Sequence, residues 1–225
     1  MKKRVDAVLR PEQAAYLERS LPPRDPLLAE MERRAADEHI PISDPEVGRL
    51  LEALAAGTGA RRILEVGTAI GYGALCLARG APEARVVTLD NDPRMLAAAR
   101  DYLVRGGVEE RVDLLEGDAL EFLERLEPPF DLAYLDAAKT EYRRYLDAVL
   151  RLLRVGGMVI ADNLLWGGLV ADPEGEDDED TRALRAFNSY FLIHPQLTSI
   201  ILPLGDGVGL ATKRKPLIQE LGGPF

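Results

Sequence analysis

"RRILEVGTAIGYGALCLARGAPEARVVTLD", residues 61–90, decides the fold. It opens on an apolar run, Ile63 to Val66, crosses a glycine-rich turn into the helical segment YGALCLARG, and returns to a second apolar run from Val86 to Leu89. Parallel strands need a crossover of a dozen or more residues, and a helix between two short apolar runs supplies one. The unit then repeats. DPRMLAAARDYLVRGG (92–107) leads to RVDLLEGD (111–118), ALEFLERL (119–126) to FDLAYLD (130–136), and KTEYRRYLDAVLRLL (139–153) to GGMVIAD (156–162); DTRALRAFNSYFLIH (180–194) follows. Five strand–helix units in a row predict an α/β fold with a doubly wound, mostly parallel sheet. The end differs: in LTSIILPLGDGVGLATKR (197–214) Gly205-Asp206-Gly207 separates two apolar runs, a hairpin signal, so the sheet is expected to have seven strands and an antiparallel C-terminal hairpin. Upstream, AAYLERSL and VGRLLEALA carry apolar residues at helical spacing between Pro22, Pro23, Pro26, Pro41 and Pro45, which predicts two or three short helices. The expectation is one domain over 1–225, with a helical cap at 1–58 and the sheet core at 59–225.

Composition narrows the class. A chain of 225 residues with 47% hydrophobic and 29% charged residues suits one soluble unit. Its apolar runs are strand-sized, so no membrane span is expected. MKKRVDAVLRPEQ has neither an apolar core segment nor a small-residue cleavage site, and a cytoplasmic location is expected. The single cysteine, Cys76, excludes an internal disulfide and reads as a buried structural thiol. The net charge of −10 is concentrated in DPEGEDDED (172–180), which holds seven of the 38 acids; the other 31 face 28 bases. That run reads as a solvated loop, or as a lid that screens acceptors by charge. No basic stripe with interleaved aromatics marks a nucleic-acid partner.

Ligands of a doubly wound sheet bind beyond the carboxyl ends of its strands, so the residues at those ends carry the functional argument. Strand 1 ends in EVGTAIGYG, where Gly67, Gly71 and Gly73 allow close backbone approach. The spacing is not G-x-G-x-x-G, and Glu65 ahead of the first glycine favours a cationic ligand over a pyrophosphate. Asp90, 23 residues after Gly67, is placed to accept from a ribose diol, while Asp92, just before Pro93, suits a helix cap. Gly117, Asp118 and Ala119 end strand 3, where Asp118 either receives an adenine edge or caps the next helix. Asp136 ends strand 4, and Asp162 with Asn163 ends strand 5. On neighbouring strands about 5 Å apart these three oxygen-bearing side chains converge, and two carboxylates that close call for a cation. Oxygen-only ligation favours Mg2+, then Mn2+ or Ca2+; the alternative is that each acid merely caps the segment after it. Lys139, three residues after Asp136, is a solvated surface lysine or a proton acceptor in the same crevice. Trp166 is a wall of the site or a core or dimer contact. Neither His39 nor His194 sits in a metal or catalytic pattern.

ILEVGTAIGYGALCLA, VVTLDNDPRMLAAAR, EGDALEFL, FDLAYLDAAKTEYRRYLD, GGMVIADNLLWGGLVADP and LPLGDGVGLATKR, in this order, resemble the cation-dependent O-methyltransferases of the catechol and caffeoyl-CoA type. The resemblance runs from about Pro11 to Arg214, and D-x-x-K combined with A-D-N-x-L-W-x-G is its most specific part. It implies a Rossmann-like fold, S-adenosylmethionine (SAM) as donor, a small hydroxylated aromatic acceptor and a homodimer. It implies that Asp136, Asp162 and Asn163 hold a divalent metal and that Lys139 is the base or charge stabiliser. Ser43, Glu65, Gly67, Asp90, Asn91, Gly117, Asp118, Ala119 and Asp136 are expected around the donor. Gly73 belongs to the same loop but departs from the serine of many members, so backbone N–H groups or water stand in there. Ala138 departs from the plant branch, which has an acid at that position. Three alternatives stay open: methylation of a hydroxylated tRNA base, a nicotinamide-dependent dehydrogenase, and a non-catalytic nucleoside-binding protein.

Overall fold

Why the apolar runs form a sheet buried on both faces is visible in β1 (Arg62–Val66): Ile63 and Leu64 are both fully buried, but on opposite sides. Successive strand side chains point to opposite faces, so a strand covered by helices on both sides reads as a continuous apolar run. The structure, a computed structural model, describes residues 11–23, 25–172 and 178–215. Parallel to β1 run β2 (Arg85–Asp90), β3 (Val112–Glu116), β4 (Phe130–Leu135) and β5 (Leu153–Ala161). The hairpin of β6 (Leu197–Leu202) and β7 (Val208–Lys213) completes a seven-stranded sheet of order β3-β2-β1-β4-β5-β7-β6, with β7 antiparallel to both neighbours. The Rossmann-like architecture expected from the sequence is thereby shown.

The cap consists of three helices, α1 (Pro11–Ser20), α2 (Pro26–Glu38) and α3 (Pro45–Gly57). Asp25 accepts from the N–H of Leu28 at the start of α2, with Pro26 in the first turn where its missing N–H costs nothing. Met31, Val47, Leu51 and Ala55 bury the cap against α4 (Tyr72–Gly80) and one face of the sheet, where α5 (Pro93–Arg105) also lies. The opposite face carries α6 (Ala119–Arg125), α7 (Tyr142–Leu152) and α8 (Glu179–Ile193) around Tyr142, Phe187 and Phe191. Among the described residues no helix is long and apolar enough to cross a membrane.

Three local expectations are corrected. Lys139 stands in a 3-10 turn, Lys139–Glu141, that precedes α7 rather than in the helix itself, and β5 starts at Leu153, ahead of the expected Gly156. The acidic run is only partly loop: Asp178 caps α8 through the N–H of Thr181, and Glu179 and Asp180 fill its first turn, where acids suit the positive end of the helix dipole. Residues 173–177 of that run lie outside the described residues. Cys76 is buried, and burial raises its thiol well above the usual range, which fits a structural role.

Candidate active site

The strand order reverses between β1 and β4, and a cleft of about 660 Å³ opens there beyond the carboxyl ends of the strands. Its walls include all ten residues expected near a donor: Ser43, Glu65, Gly67, Gly73, Asp90, Asn91, Gly117, Asp118, Ala119 and Asp136. Lys139, Asn163 and Trp166 line the other end.

At the β1 turn the chain permits no side chain. Gly67 has φ +100°, donates to the carbonyl of Leu89 at 2.9 Å, and a Cβ there would overlap the backbone carbonyl of Asp136. The loops after β1 and β4 therefore lie directly against each other at the switch point. Asp90 is tied into the loops as well: its carboxylate accepts from the backbone N–H of Ala69 at 2.8 Å and of Asp92 at 2.9 Å. As expected, it is Asp92 that caps α5, through the N–H of Arg94. Asp118 both caps α6, accepting from Glu121 at 3.0 Å, and faces the cleft.

Beneath the cleft lies a polar row the sequence reading passed over. Thr88, Glu65 and Tyr134 are register partners on β2, β1 and β4, all buried on one face. Thr88 donates to Glu65 Oε2 at 2.5 Å and is bonded to Thr68 at 2.6 Å. Glu65 Oε1 has no partner among the described residues, and it points at the space where a side chain on Gly73 would sit. Burial, with Asp136 and Asp90 adding repulsion, pushes the Glu65 carboxyl up to about 8. A fully buried carboxyl with an unused oxygen on the cleft wall is a seat for a cationic N–H group.

Asp136 and the Asp162-Asn163 pair meet through two side chains. Lys139 Nζ donates to Asp136 Oδ1 at 2.9 Å, to Asn163 Oδ1 at 2.7 Å and to the Tyr142 hydroxyl at 2.8 Å. The Tyr134 hydroxyl lies 2.8 Å from Asp162 Oδ2, 3.5 Å from Asp136 Oδ2 and 2.8 Å from Ser43 Oγ. Asp162 is buried behind the cleft wall, its other oxygen accepting from the N–H of Asn163 at 2.8 Å. Burial and the neighbouring Asp136 raise its carboxyl above the usual range. Asn163 holds φ +63°, a left-handed conformation that asparagine tolerates and that turns its amide oxygen toward Lys139. Trp166 is half-buried, packs against the core and stands 5.9 Å from Lys139 Nζ, ring centroid to nitrogen. Among the described residues no group of three or more His, Cys, Asp or Glu could hold a metal ion; the trio offers two carboxylates and one amide.

A sheet of this order, with an acid-lined cleft at its switch point, makes the chain a doubly wound α/β protein with its ligand site beyond the carboxyl ends of the strands. The profile of the O-methyltransferase family matches residues 18–214, and the chain belongs to that family. It is 36% identical over 214 residues to a catechol O-methyltransferase of Mycobacterium tuberculosis, covering 91% of this chain and 96% of that protein. Two solved structures share the fold. The O-methyltransferase from Bacillus cereus in complex with SAH superposes with a TM-score of 0.79 at 32% identity, over 89% of this chain and 96% of that one. TomG from Streptomyces achromogenes, an O-methyltransferase of tomaymycin synthesis solved with SAM, gives 0.78 at 32% identity, over 89% and 95%. The protein is a SAM-dependent O-methyltransferase.

Proposed function

We propose that the protein methylates one hydroxyl of a small vicinal dihydroxy aromatic, with a hard divalent cation, Mg2+ first, held by Asp136, Asp162 and Asn163. The observation that carries this reading is the Lys139 ammonium between Asp136 Oδ1 and Asn163 Oδ1: a positive charge already stands among these oxygens, with a second carboxylate, Asp162, behind them. An all-oxygen donor set with two acids, one of them driven toward protonation by burial and by its neighbour, suits a hard cation. The donor fits on separate grounds. Glu65 Oε1 is an acceptor without a partner among the described residues, and Gly73 leaves open the space before it.

Ser43, Glu65, Gly67 and Gly73 would hold the amino-acid end of the donor, Asp90 and Asn91 its ribose, and Gly117, Asp118 and Ala119 its adenine. When bound, the donor supplies an electrophilic sulfonium methyl, and the cation supplies charge that steadies a phenolate oxygen and orients the two vicinal oxygens. Asp136 lines the same cleft as the donor-side residues and as Lys139 and Asn163, so it would hold donor and acceptor within one site, where proximity lowers the entropy cost of their meeting. As the ammonium that donates to Asp136 and Asn163, Lys139 balances the charge on that oxygen; only as a neutral amine would it take the acceptor hydroxyl's proton. Trp166 walls the acceptor end and excludes water.

The test is methyl transfer from SAM to catechol in EDTA and after adding back Mg2+. Turnover that collapses in EDTA and returns with Mg2+ supports the reading. Full turnover in EDTA overturns the cation's role, and no turnover of any vicinal dihydroxy aromatic with Mg2+ overturns the acceptor class.

A further inference from the structure

Trp166, on the cleft wall, sits in a backbone conformation that its own side chain disfavours. Leu165 to Gly168 form a tight turn, Gly168 N–H donating to the Leu165 carbonyl at 2.8 Å, and both central residues have positive φ, Trp166 at +49° and Gly167 at +61°. Turns of that hand belong to glycine, asparagine and aspartate, which bear left-handed backbone at little steric cost. A bulky aromatic there is an outlier that persists only where its surroundings over-determine it. Those surroundings include the hairpin turn between β6 and β7, some 40 residues further along the chain.

The hairpin turn, Gly205-Asp206-Gly207, lies directly on the loop: a Cβ on Gly207 would run into the backbone nitrogen and the side chain of Leu165. The carbonyls of Gly207 and Asp206 accept from the N–H groups of Leu164 and Leu165, both at 2.9 Å. Asp206 Oδ1 accepts in turn from the N–H of Gly167 at 2.7 Å. One residue of the hairpin thus grips the backbone on each side of Trp166, through its carbonyl before it and its side chain after it. From α8, Asn188 Nδ2 donates to the Leu164 carbonyl at 2.8 Å and Arg185 Nε to the Val170 carbonyl at 2.9 Å, which anchors the ends of the loop rather than its turn. The geometry points to Asp206 as a positioning residue: its carboxylate holds Trp166 in place as a wall of the acceptor end and so governs how tightly the acceptor binds. The second half of that statement rests on reading Trp166 as the acceptor wall.

Trp166 is the one tryptophan in the chain, so intrinsic fluorescence reads its surroundings directly and apart from any activity. The Asp206 backbone lies outside the left-handed region, so alanine fits there and removes the carboxylate alone. Asp206→Ala is expected to shift Trp166 emission to longer wavelength and to speed its quenching by acrylamide. With catechol, SAM and Mg2+, it should raise KM for catechol about 5-fold or more, with kcat within about 2-fold of the wild type and SAM affinity by calorimetry unchanged. Asp206→Asn, whose amide oxygen accepts from the same N–H, should bring fluorescence and KM back toward the wild type. A merely structural role for Asp206 would lower stability and leave both readouts of the folded protein where they were, and that result overturns the proposal. Should Asp206→Ala fail to fold, hydrogen exchange of the Gly167 amide in the wild type decides: slowing by about 100-fold or more against a free peptide is expected, and exchange at the free rate overturns the hold on the turn. Fluorescence that moves while KM stays overturns the acceptor half of the proposal, because Trp166 then does not wall the acceptor. A wild type that turns over no vicinal dihydroxy aromatic refutes the proposed function instead, and fluorescence alone then judges whether Asp206 holds Trp166.

Discussion

Replacing Glu65 by glutamine should change how stability of the donor-free protein depends on pH. The Glu65 carboxyl is fully buried, receives one hydroxyl hydrogen bond from Thr88, and is repelled by Asp136 and Asp90. Burial dominates and carries it from the usual 4.5 to about 8 in the folded state. A folded state that holds its proton more tightly than the unfolded chain is most stable below the unfolded value and loses stability as pH rises toward the folded one. For Glu65 the loss falls between pH 4.5 and 8, with a limiting slope of about 1.4 kcal/mol per pH unit and a total of roughly 4 kcal/mol between pH 5 and pH 8.5. Asp162, also raised, adds a decline in the same direction, so the Glu65→Gln profile should still slope. Urea unfolding at pH 5, 7 and 8.5 measures this. Glu65→Gln should gain on the wild type steadily as pH rises, and saturating donor should narrow the gap by placing a positive group beside Oε1. Parallel pH profiles for the two proteins would refute the reasoning, because they would mean that Glu65 is ionised in the fold at no cost.

Lys139→Met should lower kcat by about 100-fold or more while leaving SAM affinity by calorimetry unchanged, since the ammonium faces the acceptor end; lost donor binding would instead make Lys139 a structural clamp. Gly67→Ala must place a Cβ into the Asp136 carbonyl at φ +100°, and chemical denaturation should show a loss of about 3 kcal/mol or more; a loss below about 1 kcal/mol would mean the two loops part readily. Asp92→Ala removes the cap of α5 and should cost about 1 kcal/mol in the same assay, with kcat untouched.

The strand ends were legible in the sequence because an apolar run that stops at an acid or a glycine is a local pattern, and parallel strands deliver all such ends to one edge. Asp90, Asp136, Asp162 and Asn163 could thus be placed together without coordinates. Local pattern was weaker at boundaries: the sequence of Lys139–Glu141 suits a helix, but the backbone tightens into a 3-10 turn there, and part of the acidic run serves as the start of α8. Thr88 and Tyr134 escaped notice since both are ordinary strand residues. Their function depends on register, which sets them beside Glu65 in one row, and register comes from pairing between segments 20 to 70 residues apart. The hairpin was readable, yet its insertion with β7 next to β5 was not. By itself, then, the sequence determined the α/β class, the order of elements and the inventory of polar groups at the carboxyl edge, because periodicity and turn chemistry act over a few residues. Only tertiary structure decided that Glu65 keeps an oxygen unpartnered among the described residues, that Lys139 lies between Asp136 and Asn163, and that Ser43 reaches Asp162 through Tyr134. Those facts depend on which side chains share a buried volume, and burial is a property of the assembled layers rather than of any one segment.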